Sequence, residues 1–373
     1  MNNSPKRLLF LIPSLGGGGA ERVLVNLVNN LDPQKYDITV QTLFDVGVNR
    51  QYLCSHVTYI PGFPWQFPGN TKLLKLLKPE SLYRFLIKNP YDVIVSYLEG
   101  PTARVVAGCH DSQTKLISWI HVEQHNIQTA AYSFRSAEEA RACYNRFHQM
   151  VYVAESVKAD FEEIFDLSVP GKVLYNTNET DQILIRGQEK VEDVPFSNER
   201  NVFSVGRLRQ EKGYDRLIKV HRRLRDEGIK HHIYILGEGD EKDNLQKLIE
   251  EHQVADTFHL LGFRDNPYKY VAKADMFICS SRREGFSTAV TEALILGIPT
   301  VSTLCSGAKE LLGAENEFGI VVDNNEDGIY QGMKLLLGEP VLLAHYRKKA
   351  RERGPYFSKE ASVRAVEEML DNL

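Results

Sequence analysis

Several features that mark large classes of protein are scarce or missing in this sequence of 373 residues. Only five cysteines occur, and no two of them form a Cys-x-x-Cys pair, so neither a disulfide framework nor a zinc-thiolate site is expected. No apolar run approaches the ~20 residues that a membrane-spanning helix requires. The net charge of −4 gives no basic footprint for nucleic acid. These absences favour a globular protein of a reducing cytoplasm, and the length suits two domains.

What the sequence does contain is a regular alternation of short apolar runs and helical stretches. The run 8–12 follows two basic residues as in a signal peptide, but it is too short and glycines replace a cleavage site, so we interpret it as the first buried strand. The alternation occurs twice and predicts an α/β protein with two Rossmann-like domains, each a doubly wound parallel sheet. The strand candidates are 8–12, 38–43, 93–96, 115–120 and 150–153 in the first half, and 201–205, 232–236, 257–261, 276–279, 300–302 and 319–322 in the second.

A polar stretch over 176–200, rich in Asp, Glu and Asn, marks the predicted boundary between the two domains. We expect an N-terminal domain over 1–178 and a C-terminal domain over 179–355. The remaining residues, 356–373, are predicted to end in an amphipathic helix.

Two glutamates, Glu284 and Glu292, are separated by seven residues and follow the predicted strand 276–279. Glu284 therefore lies in a loop at the carboxyl end of a strand, where open α/β sheets hold ligands, and Glu292 lies about two turns further on, in the next helix. The N-terminus of that helix, near Ser287, offers unpaired N–H groups to a phosphate. The two carboxylates can accept hydrogen bonds from hydroxyls on either side of the anion. A nucleotide-sugar has this arrangement of groups.

A second loop carries two cations. The predicted strand 201–205 ends in Gly206 and Arg207, and Lys212 follows shortly before an amphipathic helix. Gly206 permits a sharp turn, so both cationic side chains project from one strand-to-helix loop. A guanidinium fork and an ammonium point charge beside a helix N-terminus suit a diphosphate.

A glycine run, Gly16–Gly19, follows the first predicted strand. The dinucleotide fingerprint requires three glycines spaced G-x-G-x-x-G, with an acid about 20 residues further on. Neither possible frame ends in a glycine, because the last position falls on Glu21 or Arg22, and the second predicted strand has no acid at its tip. A nicotinamide site is therefore disfavoured. A plain flexible turn and a close backbone approach to another ligand both stay open.

Together, these motifs resemble glycosyltransferase family 4, whose members have the GT-B architecture. The resemblance rests on the loop 206–213, the run 284–292, the opening 16–22 and the segment 236–239, in the family's order and over essentially the whole chain. It implies a retaining glycosyltransferase with two Rossmann-like domains facing across a cleft. It also implies that the helix in 356–373 crosses back to the N-terminal domain.

The resemblance assigns roles to individual residues. It implies that Arg207 and Lys212 neutralise the departing diphosphate, while Glu292 holds the ribose hydroxyls and Glu284 those of the transferred sugar. His121, at the carboxyl end of the strand 115–120, would contact the donor sugar and orient the reaction. Further donor contacts are expected from Gly17, Gly18, Phe263, Arg264, Gly285, Phe286 and Ser287.

Two neighbours of His121 stay open as alternatives. His125 lies one helical turn further on and competes for the same role, and Glu123 is a candidate contact for an acceptor hydroxyl. These two positions rest on proximity in the sequence alone.

No Asp-x-Asp occurs in the chain, so no paired-carboxylate clamp for a divalent ion between phosphates is available. We therefore expect no metal and no other cofactor. Relatives mostly use UDP-sugars, so the resemblance favours a UDP-hexose or UDP-N-acetylhexosamine donor and a glycan acceptor, lipid-linked, in surface polysaccharide synthesis. Two other functions stay open: a nucleotide-sugar epimerase or phosphorylase, and a catalytically silent partner subunit that binds a glycan.

The stretch 63–89 combines basic, apolar and aromatic residues. Lysines at 72, 75 and 78 alternate with leucines, and Phe63, Trp65 and Phe67 form an aromatic loop just upstream. Pro79 divides the segment into two predicted short helices. This pattern suits peripheral binding to an anionic membrane face on the cytoplasmic side, although apolar residues at helical spacing also pack within their own domain.

Overall fold

A computed structural model describes residues 4–65, 69 and 74–373 of the chain. These residues divide into two compact units, of which the first consists of Met1–Thr177 with Glu360–Leu373 and the second of Asn178–Lys359. Each unit contains one parallel sheet whose strands are joined mainly through helices. The predicted α/β class with two Rossmann-like sheets is confirmed.

The first unit has a seven-stranded sheet. Its strands are β1 (Lys6–Ile12), β2 (Tyr36–Thr42), β3 (Val57–Ile60), β4 (Val93–Tyr97), β5 (Lys115–Ile120), β6 (Gln149–Tyr152) and β7 (Gly171–Val173). Their spatial order is β3-β2-β1-β4-β5-β6-β7. The described helices are α1 (Gly19–Asn30), α2 (Pro79–Leu86), α3 (Pro101–Val106), α4 (Ile127–Ala130), α5 (Ala137–Tyr144) and α6 (Glu155–Phe165), with a 3₁₀ turn at Val48–Tyr52.

The second unit has a six-stranded sheet. Its strands are β8 (Arg200–Val205), β9 (His231–Leu236), β10 (Phe258–Gly262), β11 (Met276–Cys279), β12 (Thr300–Thr303) and β13 (Ile320–Val322), in the order β10-β9-β8-β11-β12-β13. Its helices are α7 (Thr180–Gly187), α8 (Tyr214–Asp226), α9 (Lys242–Glu251), α10 (Tyr268–Val271), α11 (Thr288–Ile295), α12 (Ala308–Leu312), α13 (Glu326–Gly338) and α14 (Pro340–Arg353), with 3₁₀ turns at Gln210–Lys212 and Gly354–Phe357.

The continuous apolar runs of the sequence form the centres of both sheets. In β1, the side chains from Leu8 to Ile12 are fully buried, because this strand lies between β2 and β4 and a parallel sheet is covered on both faces. In β11, Met276 and Ile278 join the core of the second unit. Every predicted strand is present to within two residues at either end. Two edge strands, β3 and β7, were not predicted.

The last helix, α15 (Lys359–Asp371), packs on the first unit. Lys6 donates to the carbonyl of Leu370 at 2.6 Å, and Tyr36 donates to the Asp371 carboxylate at 2.6 Å. The first unit is therefore assembled from both ends of the sequence. Among the described residues, no helix is both long and apolar enough to cross a membrane.

Candidate active site

The order of the strands places two loops side by side in the second unit. The chain leaves β8 in one direction and reaches β11 on its other side, so the sheet reverses its winding between these two strands. Loops at the carboxyl ends of strands on either side of such a switch point form the ligand crevice of open α/β sheets. The loops here are 206–213 and 280–287, which carry the two charged motifs of the sequence analysis.

The two motifs meet in an ion pair. The ammonium of Lys212 donates to the Glu284 carboxylate at 2.6 Å, and the Ser281 hydroxyl donates to the same oxygen. Although burial by itself lowers the pKa of Lys212, the neighbouring Glu284 carboxylate raises it above its ordinary value. Lys212 is therefore charged across the physiological pH range. The sequence analysis assigned these side chains to different groups of the ligand, and the structure brings them into direct contact.

A buried arginine holds the loop 280–287 against the start of α8. The Arg216 guanidinium is 5 % exposed and donates to the carbonyls of Ser280 and Ser281 at 2.7 and 2.8 Å, and to Asn324 at 2.6 Å. A second pairing forms nearer the surface, where Arg282 makes a bidentate contact with Asp215 at 2.7 Å. These contacts preorganise the loop 280–287, because it is fixed to α8 before any ligand arrives. Arg216 lies in α8 and belongs to neither of the two charged sequence motifs.

One glycine is required by this close packing. Gly213 has a φ of +66°, and a Cβ atom added there would lie 2.2 Å from the carbonyl oxygen of Ser280. The side chain of that serine donates in turn to the carbonyl of Lys212 at 2.9 Å. A side chain at position 213 would therefore separate the two loops and displace Lys212 from Glu284.

The second glutamate lies in α11, as the sequence predicted. Ser287 is the N-cap of this helix, and its side chain accepts a hydrogen bond from the backbone N–H of Val290. Glu292 is half-buried one turn further along, where it accepts a hydrogen bond from the Tyr268 hydroxyl at 3.3 Å. Gly285 and Phe286 are buried immediately before the cap. The loop and the helix thus present a carboxylate, backbone N–H groups and a second carboxylate in sequence.

The remaining predicted donor residues of this unit follow the same edge of the sheet. Arg207 is half-buried directly after β8. The loop after β8 is joined to that after β9 because the Leu208 N–H donates to the Glu238 carbonyl at 2.9 Å. After β10, Phe263 is 65 % exposed and Arg264 contacts Asp193 at 3.3 Å.

In the first unit, the glycine-rich loop leads from β1 into α1. Gly18 is the N-cap of the helix, and Gly17 precedes it. Asn49 donates to the carbonyl of Gly16, and the N–H of Leu15 donates to the carbonyl of Val46 at 3.1 Å. The loop is therefore supported from beneath by the 3₁₀ turn and the residues before it.

His121 lies directly after β5, beside the switch point between β1 and β4. Its ring is 5 % exposed and lies 4.6 Å from the ring of Tyr97 and 6.3 Å from that of Trp119. Burial lowers the pKa of His121 to about 3, so the imidazole is neutral at physiological pH. Its Nε2 atom has no hydrogen-bond partner in the described part of the chain, and the same is true of the Tyr97 hydroxyl and Trp119 Nε1. A neutral imidazole suits a hydroxyl ligand rather than a phosphate.

The two neighbours of His121 lie in a different setting. His125 has a φ of +64°, its side chain is 52 % exposed, and its Nδ1 atom is 3.5 Å from Asp160 and 3.7 Å from Glu123. The backbone N–H of Gln124 also donates to Asp160, at 2.6 Å. These contacts fix the loop after β5 and point to a structural role for His125.

Three residues of the first unit were missed by the sequence analysis. Tyr97 and Trp119 are paired across β4 and β5, and Glu99 contacts the backbone of His121. Only the register of the sheet brings them together. Within residues 4–65, 69 and 74–373, no group of three or more His, Cys, Asp or Glu side chains is arranged to hold a metal ion.

Comparison with known proteins places both halves of the chain in one enzyme group. The profile described as Glycosyltransferase Family 4 matches residues 17–182, and that of Glycosyl transferases group 1 matches residues 186–353. The chain is 31 % identical to the N-acetylgalactosamine-N,N'-diacetylbacillosaminyl-diphospho-undecaprenol 4-alpha-N-acetylgalactosaminyltransferase of Campylobacter jejuni, over 95 % of this chain and 96 % of the relative. It is also 21 % identical to the amylovoran biosynthesis glycosyltransferase AmsD of Erwinia amylovora, over 98 % and 99 %.

Solved structures support the same fold. The crystal structure of Anabaena HepE in complex with UDP and glucose superposes with a TM-score of 0.77 at 20 % identity, over 98 % of this chain and 99 % of that one. The structure of WaaG, a glycosyltransferase of lipopolysaccharide biosynthesis, superposes with a TM-score of 0.70 at 14 % identity, over 96 % and 98 %. The chain therefore belongs to glycosyltransferase family 4 and is a retaining glycosyltransferase of the GT-B fold.

Proposed function

We propose that this enzyme transfers a hexose or N-acetylhexosamine from a UDP-sugar to a hydroxyl of a lipid-linked glycan during the synthesis of a surface polysaccharide or glycoconjugate. The observation that carries the proposal is the Lys212–Glu284 pair at the switch point of the second sheet, with a capped helix N-terminus beside it. An ammonium and a carboxylate in contact suit a ligand that carries phosphates next to hydroxyls. The UDP and glucose bound to HepE support this class of donor.

The donor would lie along the carboxyl edge of the second sheet. Arg207, Lys212 and the N–H groups around Ser287 neutralise the diphosphate, and Glu292 binds the ribose hydroxyls. The diphosphate displaces the ammonium of Lys212 from part of its contact with Glu284. The carboxylate of Glu284 then accepts hydrogen bonds from the transferred sugar. Phe263 and Arg264 would hold the uracil base.

In the proposed reaction the protein stabilises the departing diphosphate and supplies no nucleophile of its own. In the proposed step, the bond between the anomeric carbon and the diphosphate oxygen breaks while the acceptor oxygen bonds to the same face of that carbon. The acceptor proton passes to the departing diphosphate, so the anomeric configuration is retained. Preorganised positive charge stabilises this transition state without requiring a metal.

The first unit would contribute His121 and the glycine-rich loop. The neutral imidazole, whose Nε2 has no partner among the described residues, is suited to a hydrogen bond with a sugar hydroxyl. Gly17 and Gly18 would allow the backbone to approach the sugar and phosphate closely. Both features lie at the carboxyl edge of the first sheet.

A lipid-linked acceptor is supported by the Campylobacter relative, whose acceptor contains diphospho-undecaprenol. An exposed apolar surface in the first unit fits an enzyme that works on such a molecule. Trp65 is 67 % exposed, Leu76 is 74 % exposed, and the ring of Phe85 stacks on that of Phe63 at 6.1 Å. Of the residues that the sequence analysis placed here, Phe67 and Lys72 lie outside the described part of the chain.

Two arginines hold this apolar segment rigidly. Arg104 is 1 % exposed and donates to the carbonyls of residues 74 and 77 at 2.8 Å, while Glu139 pairs with it at 2.9 Å. Arg135 donates to the carbonyls of residues 75 and 76 at 2.6 and 2.7 Å. Because four successive carbonyls are paired, Leu76 can be inserted into a lipid surface without unfolding the segment. We propose that this surface binds the cytoplasmic leaflet peripherally.

The test of the function is a screen of nucleotide-sugars with purified enzyme, measuring nucleoside diphosphate release with and without a lipid-diphosphate-linked glycan. Release of UDP that increases with the acceptor, together with a retained anomeric linkage in the product, would support the proposal. An epimerised donor would instead identify an epimerase. Absence of both hydrolysis and transfer, with intact donor binding, would identify a silent binding subunit.

The membrane proposal is tested by sedimentation with vesicles that contain or lack anionic lipid, at low and high salt. We expect binding that requires anionic lipid and weakens when Lys75 and Lys78 are both changed to glutamate. The matched control is the same change at Lys242 and Lys247, two exposed lysines of α9 in the second unit. Binding that ignores lipid charge would contradict the electrostatic part of the proposal.

A further inference from the structure

The turn that follows β4 has a backbone conformation that side-chain-bearing residues rarely adopt. Leu98 has a φ of +91°, and Gly100 has a φ of +90°. Such a conformation persists only where the surrounding structure imposes it, and it concentrates at functional sites. Glu99 lies between these two residues, so its position is set by the turn rather than by its own preference.

A set of hydrogen bonds imposes the turn. The N–H of Leu98 donates to the carbonyl of Trp119 at 3.2 Å, and the carbonyl of Leu98 accepts from the Thr102 hydroxyl at 2.8 Å. The N–H of Gly100 donates to the Tyr144 hydroxyl at 3.2 Å. The turn is thus fixed to β5, to α3 and to α5. This rigid support holds Glu99 at the carboxyl edge of the sheet.

The carboxylate of Glu99 contacts the loop after β5. Its Oε2 atom accepts the backbone N–H of His121 at 3.0 Å. The His121 ring is nine-tenths or more buried against Tyr97, and its Nε2 atom has no partner among the described residues. A buried polar atom without a partner in a rigid setting indicates a place for a ligand group.

We propose that Glu99 is a positioning residue, which fixes the backbone of His121 and thereby the direction of the unpaired imidazole nitrogen. This inference rests on the proposed function, in which His121 contacts the transferred sugar. The role requires an acceptor oxygen at this place and does not require a negative charge. Loss of the contact lets the backbone at His121 shift, and a misplacement of about 1 Å can lower a rate about 10²-fold.

Two substitutions of similar shape test the proposal. Glu99→Gln keeps an acceptor oxygen, and Glu99→Met keeps the length of the side chain without one. We expect Glu99→Gln to have a kcat close to that of the wild type, and Glu99→Met to lower kcat by about 10- to 100-fold. The Kd for UDP should be unchanged in both, because the proposed nucleotide contacts lie in the second unit. In a His121→Ala background, Glu99→Met should add no further loss.

Three different results would overturn the proposed positioning role of Glu99. Equal damage from both substitutions would show that the charge of Glu99 matters, and multiplied losses with His121→Ala would show that Glu99 acts independently of His121. Either result would overturn the proposal, as would full activity of Glu99→Met. Amide hydrogen exchange at His121 gives a measurement that needs no turnover, with protection expected in the wild type and Glu99→Gln but not in Glu99→Met. A wild-type enzyme that transfers no sugar would refute the proposed function while this exchange pattern still tests the positioning.

Discussion

Replacing Lys212 by methionine should lower both the stability of the second unit and the rate of transfer. A second substitution, at Glu284, should then recover part of the stability and none of the transfer. Lys212→Met keeps most of the volume of the side chain and removes the charge that contacts Glu284 at 2.6 Å. At that distance, and with an effective dielectric constant of about 20, the attraction between the two charges is about 6 kcal/mol. Desolvation offsets part of this attraction, since the side chains are only 24 % and 14 % exposed. Breaking a buried pair from one side typically costs about 3–5 kcal/mol.

Lys212→Met leaves the carboxylate of Glu284 without its cation, and a second substitution can remove this buried charge. In the Lys212→Met/Glu284→Gln double variant, the neutral amide still has the Ser281 hydroxyl beside it and leaves no charge buried. We therefore expect the double variant to recover about 1–3 kcal/mol of the loss in the free energy of unfolding. Transfer should not recover. Removal of one preorganised charge contact to the diphosphate lowers the rate by about 10²–10³-fold, and in the double variant a neutral amide also replaces the carboxylate that accepts from the sugar.

Urea unfolding and initial rates of UDP release on the wild type, Lys212→Met and the double variant would measure both effects. Lys219→Met is the matched control, because Lys219 pairs with Glu326 at 3.1 Å but both side chains are nearly half exposed. Its cost should be below about 1 kcal/mol, with unchanged turnover. Near-normal transfer by Lys212→Met, or transfer restored in the double variant, would refute the assignment of Lys212 to the diphosphate.

The remaining predictions concern the nucleotide, the charge of the leaving group, the metal and the pH. Glu292→Ala should weaken the binding of UDP itself in calorimetry, because the ribose loses its acceptor; normal UDP affinity would make the ribose assignment wrong. Arg207→Ala should lower the transfer rate by about 10²–10³-fold with an unchanged circular dichroism spectrum. Transfer should persist in excess EDTA, and a complete loss restored by Mn²⁺ would require a different donor site. His221 and His231 are fully buried, and burial lowers their pKa values from 6.5 to about 2 and about 4. As the pH falls, these histidines are protonated in the unfolded chain at a higher pH than in the folded protein. The stability that they contribute is therefore complete above pH 6.5. Between pH 6.5 and pH 4 it falls by up to about 1.4 kcal/mol per histidine per pH unit. Urea unfolding at pH 7, 6 and 5 would measure this decline, and a His221→Gln variant with the same decline would contradict its origin.

The second sheet could be predicted from the sequence as far as its edge strands β10 and β13, whereas the two edge strands of the first sheet, β3 and β7, could not. The strands β5 and β11 were predicted at their observed ends, because continuous apolar runs form strands that are buried on both faces. The missed strand β3 contains the exposed Thr58 between partly and fully buried residues, and β7 has three residues, none of which is fully buried. These two edge strands bury little surface, so their apolar pattern is weak.

The candidate site also has a part that could be predicted from the sequence and a part that could not. The loops 206–213 and 280–287 could be predicted, since glycine, charge and helix-cap signals are local in the sequence. The contact between Lys212 and Glu284 could not, because 72 positions separate the two residues and the neighbouring positions of β8 and β11 bring them together. Tyr97 and Trp119 are aligned only by the register of β4 and β5.

The position of α15 has a consequence for the order in which the protein is made. The first unit lacks this helix until residues 360–371 leave the ribosome, which happens after the whole of Asn178–Lys359 has been synthesised. At about 5–20 residues per second, that interval is roughly 10–40 seconds. During this time the Asp32 N–H and the Tyr36 hydroxyl still await their partners Glu367 and Asp371. The second unit can therefore complete its fold on the growing chain while the first is still open, so the half of the protein that is translated first is the half that is finished last.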